Sequence, residues 1–193
     1  MTKTLDQIIS TRRTVRHFDA TKPMTRAELM PILEAGRLAP SAKNFQPLRF
    51  VVVLSEEERT KLHAVSQQPW FYHAPSYIVI IGDHDKAWQR PHCDLTYVDT
   101  SIALTHMLLK AEDMGLGATT VAAFDQEICR ELLQIPEHEE PILILAVGHP
   151  DPAFAGKEGI HVARRWRSWS HSSKLVAPLC AVPSPYYCSR SSC

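Results

Sequence analysis

Neither sign of charge is in excess in this chain of 193 residues, where 21 lysines and arginines are matched by 21 aspartates and glutamates. Proteins that bind nucleic acid draw affinity from phosphate neutralisation and usually carry a basic surplus, so that class is disfavoured. Long apolar runs are missing too. "YIVII" and "ILILAV" are strand-sized, far short of the roughly 20 residues a membrane-crossing helix needs. The opening MTKTLDQ is polar and lacks the apolar stretch of a signal peptide. Cys93, Cys129, Cys180, Cys188 and Cys193 are odd in number and form no C-x-x-C pair, which argues against a secreted disulfide framework. No G-x-S-x-G elbow, P-loop or internal repeat is present. A cytoplasmic protein with neither membrane nor nucleic acid as partner is the expectation.

What is present suits one sizeable domain with a real core: 45% hydrophobic and 22% charged residues. Helix starts are marked by Thr4-Leu-Asp-Gln7, Thr25-Arg-Ala-Glu28 and Ser55-Glu-Glu-Glu58, each placing a hydroxyl and a carboxylate or amide where a capping box needs them. Strand-like runs fall at 49–54, 77–82, 118–122 and 142–147, the last reading as an interior strand buried on both faces. A long helix is expected from Leu95 to Met114, with Val98, Ile102, Leu109, Ala103 and Met107 as a broad apolar surface, stopped by Gly115-Leu-Gly117. Asp125 is expected to cap a short helix. The order of elements lacks regular βαβ alternation, so an α+β layered domain is expected. Composition changes after Pro152. Residues 1–152 read as the domain and 153–193, rich in Pro, Ser and Cys, as a divergent extension that is irregular or wraps a partner chain.

The histidine-rich groups Asp83-His84-Asp85 and His92-Cys93-Asp94 lack the spacing of a zinc pair and read as solvated loop after a strand; no metal site is assigned. Two segments exceed what a plain core requires. In Arg12-Arg13-Thr14-Val15-Arg16, an extended backbone puts Arg12, Thr14 and Arg16 on one side, and guanidinium forks plus a hydroxyl make a good receptor for a phosphate monoester. A solvated cationic loop is the competing reading. In "APSAKNFQP", residues 39–47, two prolines fix the backbone while Ser41, Asn44 and Gln46 offer uncharged donors and acceptors. That chemistry suits the edge of a heterocycle, although a plain turn has the same composition.

Together these segments resemble the nitroreductase family of FMN-dependent oxidoreductases. Asp99 in the long helix, "MGLGATTVAAFD" at 114–125 and "ILAVGHP" at 144–150 agree with the likeness, which covers roughly residues 5 to 151. The resemblance implies a mainly antiparallel sheet flanked by helices and an intertwined homodimer with one FMN in each of two interface pockets. It implies that Arg12, Arg13, Thr14 and Arg16 hold the FMN phosphate and ribityl chain. Pro40, Ser41 and Asn44, with Gln46 from the same motif, would reach the flavin from the other subunit. The stretch Thr120, Val121, Ala122 and Ala123 would pass the flavin's reactive edge with its backbone. Arg164, Arg165 and Arg167 are candidates for a further basic residue at the phosphate.

The implied reaction is ping-pong: NAD(P)H reduces the flavin and leaves, then an electron-poor acceptor such as a nitroaromatic or quinone is reduced. No side chain is named as general acid or base. Many relatives carry Glu-Gly in place of Ala122-Ala123 and Trp in place of Leu48, so a glutamate side-chain role is absent here. Reductive dehalogenation or flavin fragmentation is an alternative within the same fold, but it usually needs a lid, and no insertion is evident between 70 and 95. A non-catalytic flavin-binding protein is another. Trp70, Phe71 and Tyr72 are candidates to stack on a flat substrate.

Overall fold

The computed structural model describes residues 3–154. Three capping boxes start three helices, as their sequences predict. Thr4 begins α1 (Leu5–Thr11), Thr25 begins α2 (Arg26–Arg37) and Ser55 begins α3 (Glu56–Leu62). Each hydroxyl accepts from the third helical N–H while that residue's side chain returns to the cap N–H, an exchange worth about 1 kcal/mol per helix.

Four strands form the sheet: β1 (Leu48–Val53), β2 (Ser76–Asp83), β5 (Gly117–Val121) and β6 (Glu139–Gly148), in the order β1-β2-β6-β5 with every pair antiparallel. A two-stranded hairpin, β3 (Gln89–Arg90) with β4 (Cys93–Asp94), lies between β2 and the long helix α4 (Thr96–Asp113). Helix α5 (Gln126–Leu133) starts on Asp125, whose carboxylate accepts from Ile128 N at 3.0 Å. The fold is therefore α+β with an antiparallel sheet, as expected. The hairpin is a departure. Two-residue strands are too short for a period-two pattern to show.

Alternation along the central strands sorts their side chains into two layers. Ile78, Ile80, Leu145 and Val147 meet Leu29 and Ile32 of α2 and Leu104, Met107 and Ala111 of α4. Tyr77, Val79, Ile81, Ile144 and Ala146 face the opposite way, against Leu62, Val65, Phe71 and Cys129. Residues 144–147 are fully buried, so the interior strand read from "ILILAV" is found. Tyr77 is buried and donates its hydroxyl to the Phe71 carbonyl, which satisfies its one polar atom. Ile142 is the extra residue of a bulge, because Ile80 pairs with Leu143 and Ile81 with Pro141.

Helix α4 differs in which face it buries. Ala103 and Met107 are buried as expected, with Thr96, Asp99, Thr100, Leu104 and Ala111, whereas Val98 is 43% exposed and Ile102 and Leu109 are half-buried. Gly115 ends the helix in the left-handed region at φ +73°, where a side chain would be strained. No helix among the described residues is long and apolar enough to cross a membrane.

Gly117 is needed for a different reason. A Cβ there would sit 2.5 Å from Val15 Cγ1, so only glycine lets the arginine-bearing segment lie against β5. Gly117→Ala is expected to destabilise the protein by about 1–3 kcal/mol, the usual cost of overpacking, as a lower urea midpoint with an unchanged slope.

Candidate functional site

The segment after α1 is held to β5 by a parallel bridge, Thr14 with Ala118, and by Val15 N donating to Ala118 O at 3.1 Å. Val15 points at Gly117, and Thr14, its neighbour in the bridge, therefore turns to the other side. Arg12 is half-buried and its guanidinium makes no hydrogen bond or ion pair among the described residues. Arg13 behaves differently. Its Nη1 donates to the Ser10 and Arg12 carbonyls at 2.8 and 2.9 Å, so part of its fork supports the end of α1. Arg16 is exposed and lies 5.7 Å from the Trp70 ring centre.

Loop 39–47 is bound tightly to itself. Ser41 Oγ accepts from Gln46 N at 2.9 Å, and Gln46 Nε2 donates to Asn44 Oδ1 at 2.9 Å. Lys43, Asn44 and Gln46 all occupy the left-handed region, at φ 51°, 59° and 52°. Such residues cost of order 1–3 kcal/mol each and persist only where surrounding contacts over-determine them. One such contact comes from inside the core: Asp99 Oδ1, in the first turn of α4, accepts from Ala42 N at 2.9 Å. Asp99 is 1% exposed, and its Oδ2 has no partner among the described residues. Burial, and to a lesser degree the nearby Asp94 charge, push its pKa above the ordinary aspartate value despite the Ala42 hydrogen bond. Pro40, Ser41, Gln46 and Asp99 line one cleft of about 190 Å³, with Leu48 and Phe50 as its apolar wall.

Thr120 and Val121 end β5, half-buried and buried, and Val121 with Ile144 is the last β5–β6 pair. Ala122 and Ala123 follow beyond the ladder and are exposed. The arginine segment and this strand end are thus neighbours on one edge of the sheet. The 39–47 loop is not with them. It leads into β1, at the opposite edge, with β2 and β6 between; three strand spacings make about 14 Å. Helix α4 also separates them along its axis. Thr11 donates to Glu112 near its C-terminal end, while Asp99 holds the loop at its N-terminal end, about 20 Å away. Arg164, Arg165 and Arg167 lie outside the described residues.

Two expectations need correction. Of the aromatic trio, Phe71 is fully buried in the core and unavailable for stacking; Trp70 and Tyr72 remain on the surface side. Of the groups around His84 and Asp94, Asp85 and His92 are exposed turn residues as expected, but His84 and Asp94 are not plain solvated loop. His84 Nδ1 lies 2.6 Å from Asp94 Oδ2 and its Nε2 2.8 Å from Glu140 Oε2. Glu140 is 56 positions away in sequence, and no local pattern announces that meeting. Trp88 carries no local sequence signal of a role either; its ring lies 5.0 Å from Lys43 Nζ.

These features define a class: a layered α+β protein with an antiparallel sheet, a cationic segment on one sheet edge and a strained polar loop at the other. A family model described as "Nitroreductase family" matches residues 9–67 and 60–149. The chain belongs to the nitroreductase family. It is 29% identical over 168 residues to an FMN reductase [NAD(P)H] of Bacillus subtilis, covering 77% of this chain and 67% of that protein. Among solved structures, a nitroreductase family protein of Clostridium difficile 630 matches with a TM-score of 0.71 at 30% identity, covering 82% of this chain and 94% of the other. An FMN-dependent nitroreductase of Clostridium difficile R20291 matches with a TM-score of 0.65 at 27% identity, covering 75% and 86%.

Asp99→Ala leaves the half-buried Ala42 N–H without its acceptor and is expected to cost about 1–3 kcal/mol in chemical denaturation. Asp99→Asn keeps an acceptor and should cost less. Because the wild-type carboxyl is raised in the fold, the native state binds more protons than the unfolded chain just above the ordinary aspartate pKa. Wild-type stability therefore falls through that window as pH rises. Denaturation at a series of pH values should show the Asn variant gaining on the wild type over the same window.

Proposed function

We propose that this chain is an FMN-dependent oxidoreductase that takes hydride from NAD(P)H and delivers it to an electron-poor acceptor such as a nitroaromatic or quinone. The observation that carries this reading is the docking of residues 12–16 on β5. One edge of the sheet thereby offers a cationic cluster beside a strand end with exposed backbone. The donor set fits a flavin mononucleotide, since three guanidiniums and the Thr14 hydroxyl lie within five residues of one segment and Arg12 makes no hydrogen bond among the described residues. The names of the relatives, an FMN reductase and an FMN-dependent nitroreductase, support the same cofactor.

In this assignment Arg12, Thr14 and Arg16 bind the phosphate, and Arg13 stiffens the backbone at Ser10 and Arg12 that presents them. The N–H groups near Ala122 and Ala123 orient the reactive edge and stabilise negative charge there. When bound, FMN supplies the redox chemistry, a two-electron exchange at its N5 position. No side chain of this chain is given a proton-transfer role. Residues 1–152 are the flavin domain and 153–193 an extension to it.

The partner for the arginine edge is the 39–47 loop of a second copy. The two lie at opposite ends of α4 in one chain, so a two-fold pairing of α4 with its copy brings each loop to the other's arginines. The outward face of α4 suits that role, with Tyr97, Val98, Ser101 and Ile102 lining an open groove. Pro40, Ser41, Asn44 and Gln46 then approach the flavin from across the interface.

Arg12→Ala and Arg16→Ala should each weaken FMN affinity by about 1.5–3 kcal/mol, the worth of a hydrogen bond to a charged group, in a fluorescence-quenching titration. Normal affinity in both would remove the phosphate assignment. Light scattering should give a dimer whose dissociation is suppressed by FMN. Because donor and acceptor take turns on one face of the cofactor, double-reciprocal plots should be parallel; intersecting lines contradict the shared pocket.

A further inference from the structure

His84 follows β2 directly and stands between two carboxylates from different elements: Asp94 of β4 on one ring nitrogen, Glu140 of β6 on the other. Tyr97 of α4 packs its ring 5.8 Å from the imidazole and donates its hydroxyl to the same Glu140 oxygen at 2.8 Å. Gln126 Nε2 takes the second Glu140 oxygen at 2.7 Å. The main chain of His84 is fixed as well. Its N–H donates to the His138 carbonyl at 3.0 Å, and its own carbonyl accepts from Gln89 Nε2 at 3.0 Å. Asp83 and Asp85 flank it in sequence and add negative charge to the same turn.

A neutral imidazole has one N–H and cannot donate to two carboxylates at once; only the protonated ring can. The geometry therefore calls for a charged histidine that ties the start of the hairpin to its end and to β6. Four residues on, Trp88 lies half-buried with its ring 5.0 Å from Lys43 Nζ, and Lys43 is the first left-handed residue of the 39–47 loop. Asp94 also acts electrostatically on Asp99, which holds Ala42 of that loop. Two routes thus lead from His84 to one strained loop.

We infer that His84 is a positioning residue for the flavin loop: charged, it clamps the β3–β4 hairpin to β6, and the hairpin's Trp88 then braces Lys43 in the left-handed conformation. The clamp itself stands on the contacts above; its consequence for FMN rests on the function proposed for the loop.

The electrostatics agree in sign. Burial disfavours the charged His84 ring, but the hydrogen bonds and charges of Asp94 and Glu140 outweigh it and raise the pKa. Asp94 is also desolvated, yet bonds from Thr96 and His84 take its pKa below the ordinary value. The clamp is complete between those two values and is lost as pH rises through that of His84.

The test follows hydrogen exchange at the Ala42 and Gln46 amides in the full-length, FMN-free protein, corrected for intrinsic exchange, at about pH 6 and about pH 9 on either side of a histidine titration. FMN affinity is titrated in parallel, and wild type is compared with His84→Gln, Trp88→Ala and Trp88→Phe. In the wild type, amide protection and FMN affinity should both fall on going to high pH, by about fivefold or more. His84→Gln should show the low values at both pH values. Ionisation of the FMN phosphate is common to all variants and cancels in their ratios. Trp88→Ala leaves the His84 contacts in place and should lose the pH response, whereas Trp88→Phe keeps an aromatic face for Lys43 and should restore it. A pH response unchanged in His84→Gln or in Trp88→Ala overturns the clamp. The expected amide behaviour with no FMN binding at any pH upholds the clamp and rejects the flavin assignment; tight FMN binding with pH-indifferent amides does the reverse.

Discussion

Helix α4 lies across the β2–β6 face, and the position of both polar segments follows from that docking. Its buried stripe, Asp99, Thr100, Ala103, Met107 and Ala111, covers one side of strands that are buried on both faces and must be covered on both. The same helix meets α1 through Glu112 at one end and the 39–47 loop through Asp99 at the other. A rigid rod of about 27 Å, the length of 18 helical residues, therefore fixes how far apart the two polar regions lie. That separation is why the function proposed above draws on the 39–47 loop of a second copy.

Charge is distributed along that rod. The arginine edge, near the C-terminal end of α4, gathers Arg12, Arg13 and Arg16, and Arg13 spends part of its fork on the Ser10 and Arg12 carbonyls. The N-terminal end gathers Asp94, Asp99 and Glu140, where burial makes each unpaired carboxylate expensive. There the structure answers with bonds: Thr96 and His84 on Asp94, Tyr97, Gln126 and His84 on Glu140, Ala42 N on Asp99. Tyr97 shows the strength of that field. Its hydrogen bond to Glu140, followed by burial and the neighbouring charges, push its pKa up to about 12. Net neutrality of the whole chain thus hides two strongly polarised regions.

The loop 39–47 shows how a scaffold stores local strain. Three side-chain-bearing residues in the left-handed region would relax in an isolated peptide. They are retained because Asp99 grips Ala42 from the core, Ser41 grips Gln46 from within the loop, and Trp88 lies against Lys43. Strain held by these contacts keeps Ser41 and Gln46 at the lining of the cleft beside Asp99.

Much of this was legible in the chain itself wherever the deciding physics is local. Capping boxes at Thr4, Thr25 and Ser55 and the Gly115 stop depend on a few neighbouring residues and are found where the sequence puts them; of the run 142–147 read as buried on both faces, 144–147 is fully buried, while Ile142 and Leu143 are half-buried. The arginine segment and the 39–47 loop were likewise visible as chemistry without a core role. What the sequence could not supply were meetings between distant positions: His84 with Glu140, Asp99 with Ala42, Val15 with Gly117. Phe71 and Tyr72 are adjacent and both aromatic, yet one is fully buried and the other 41% exposed. Residue type and spacing determined which segments fold into helices and strands and which carry polar chemistry. Only the packing of α4 and the hairpin against the sheet decided which of those groups meet, because burial and long-range hydrogen bonds arise from the layers' assembly and leave no periodic trace along the chain.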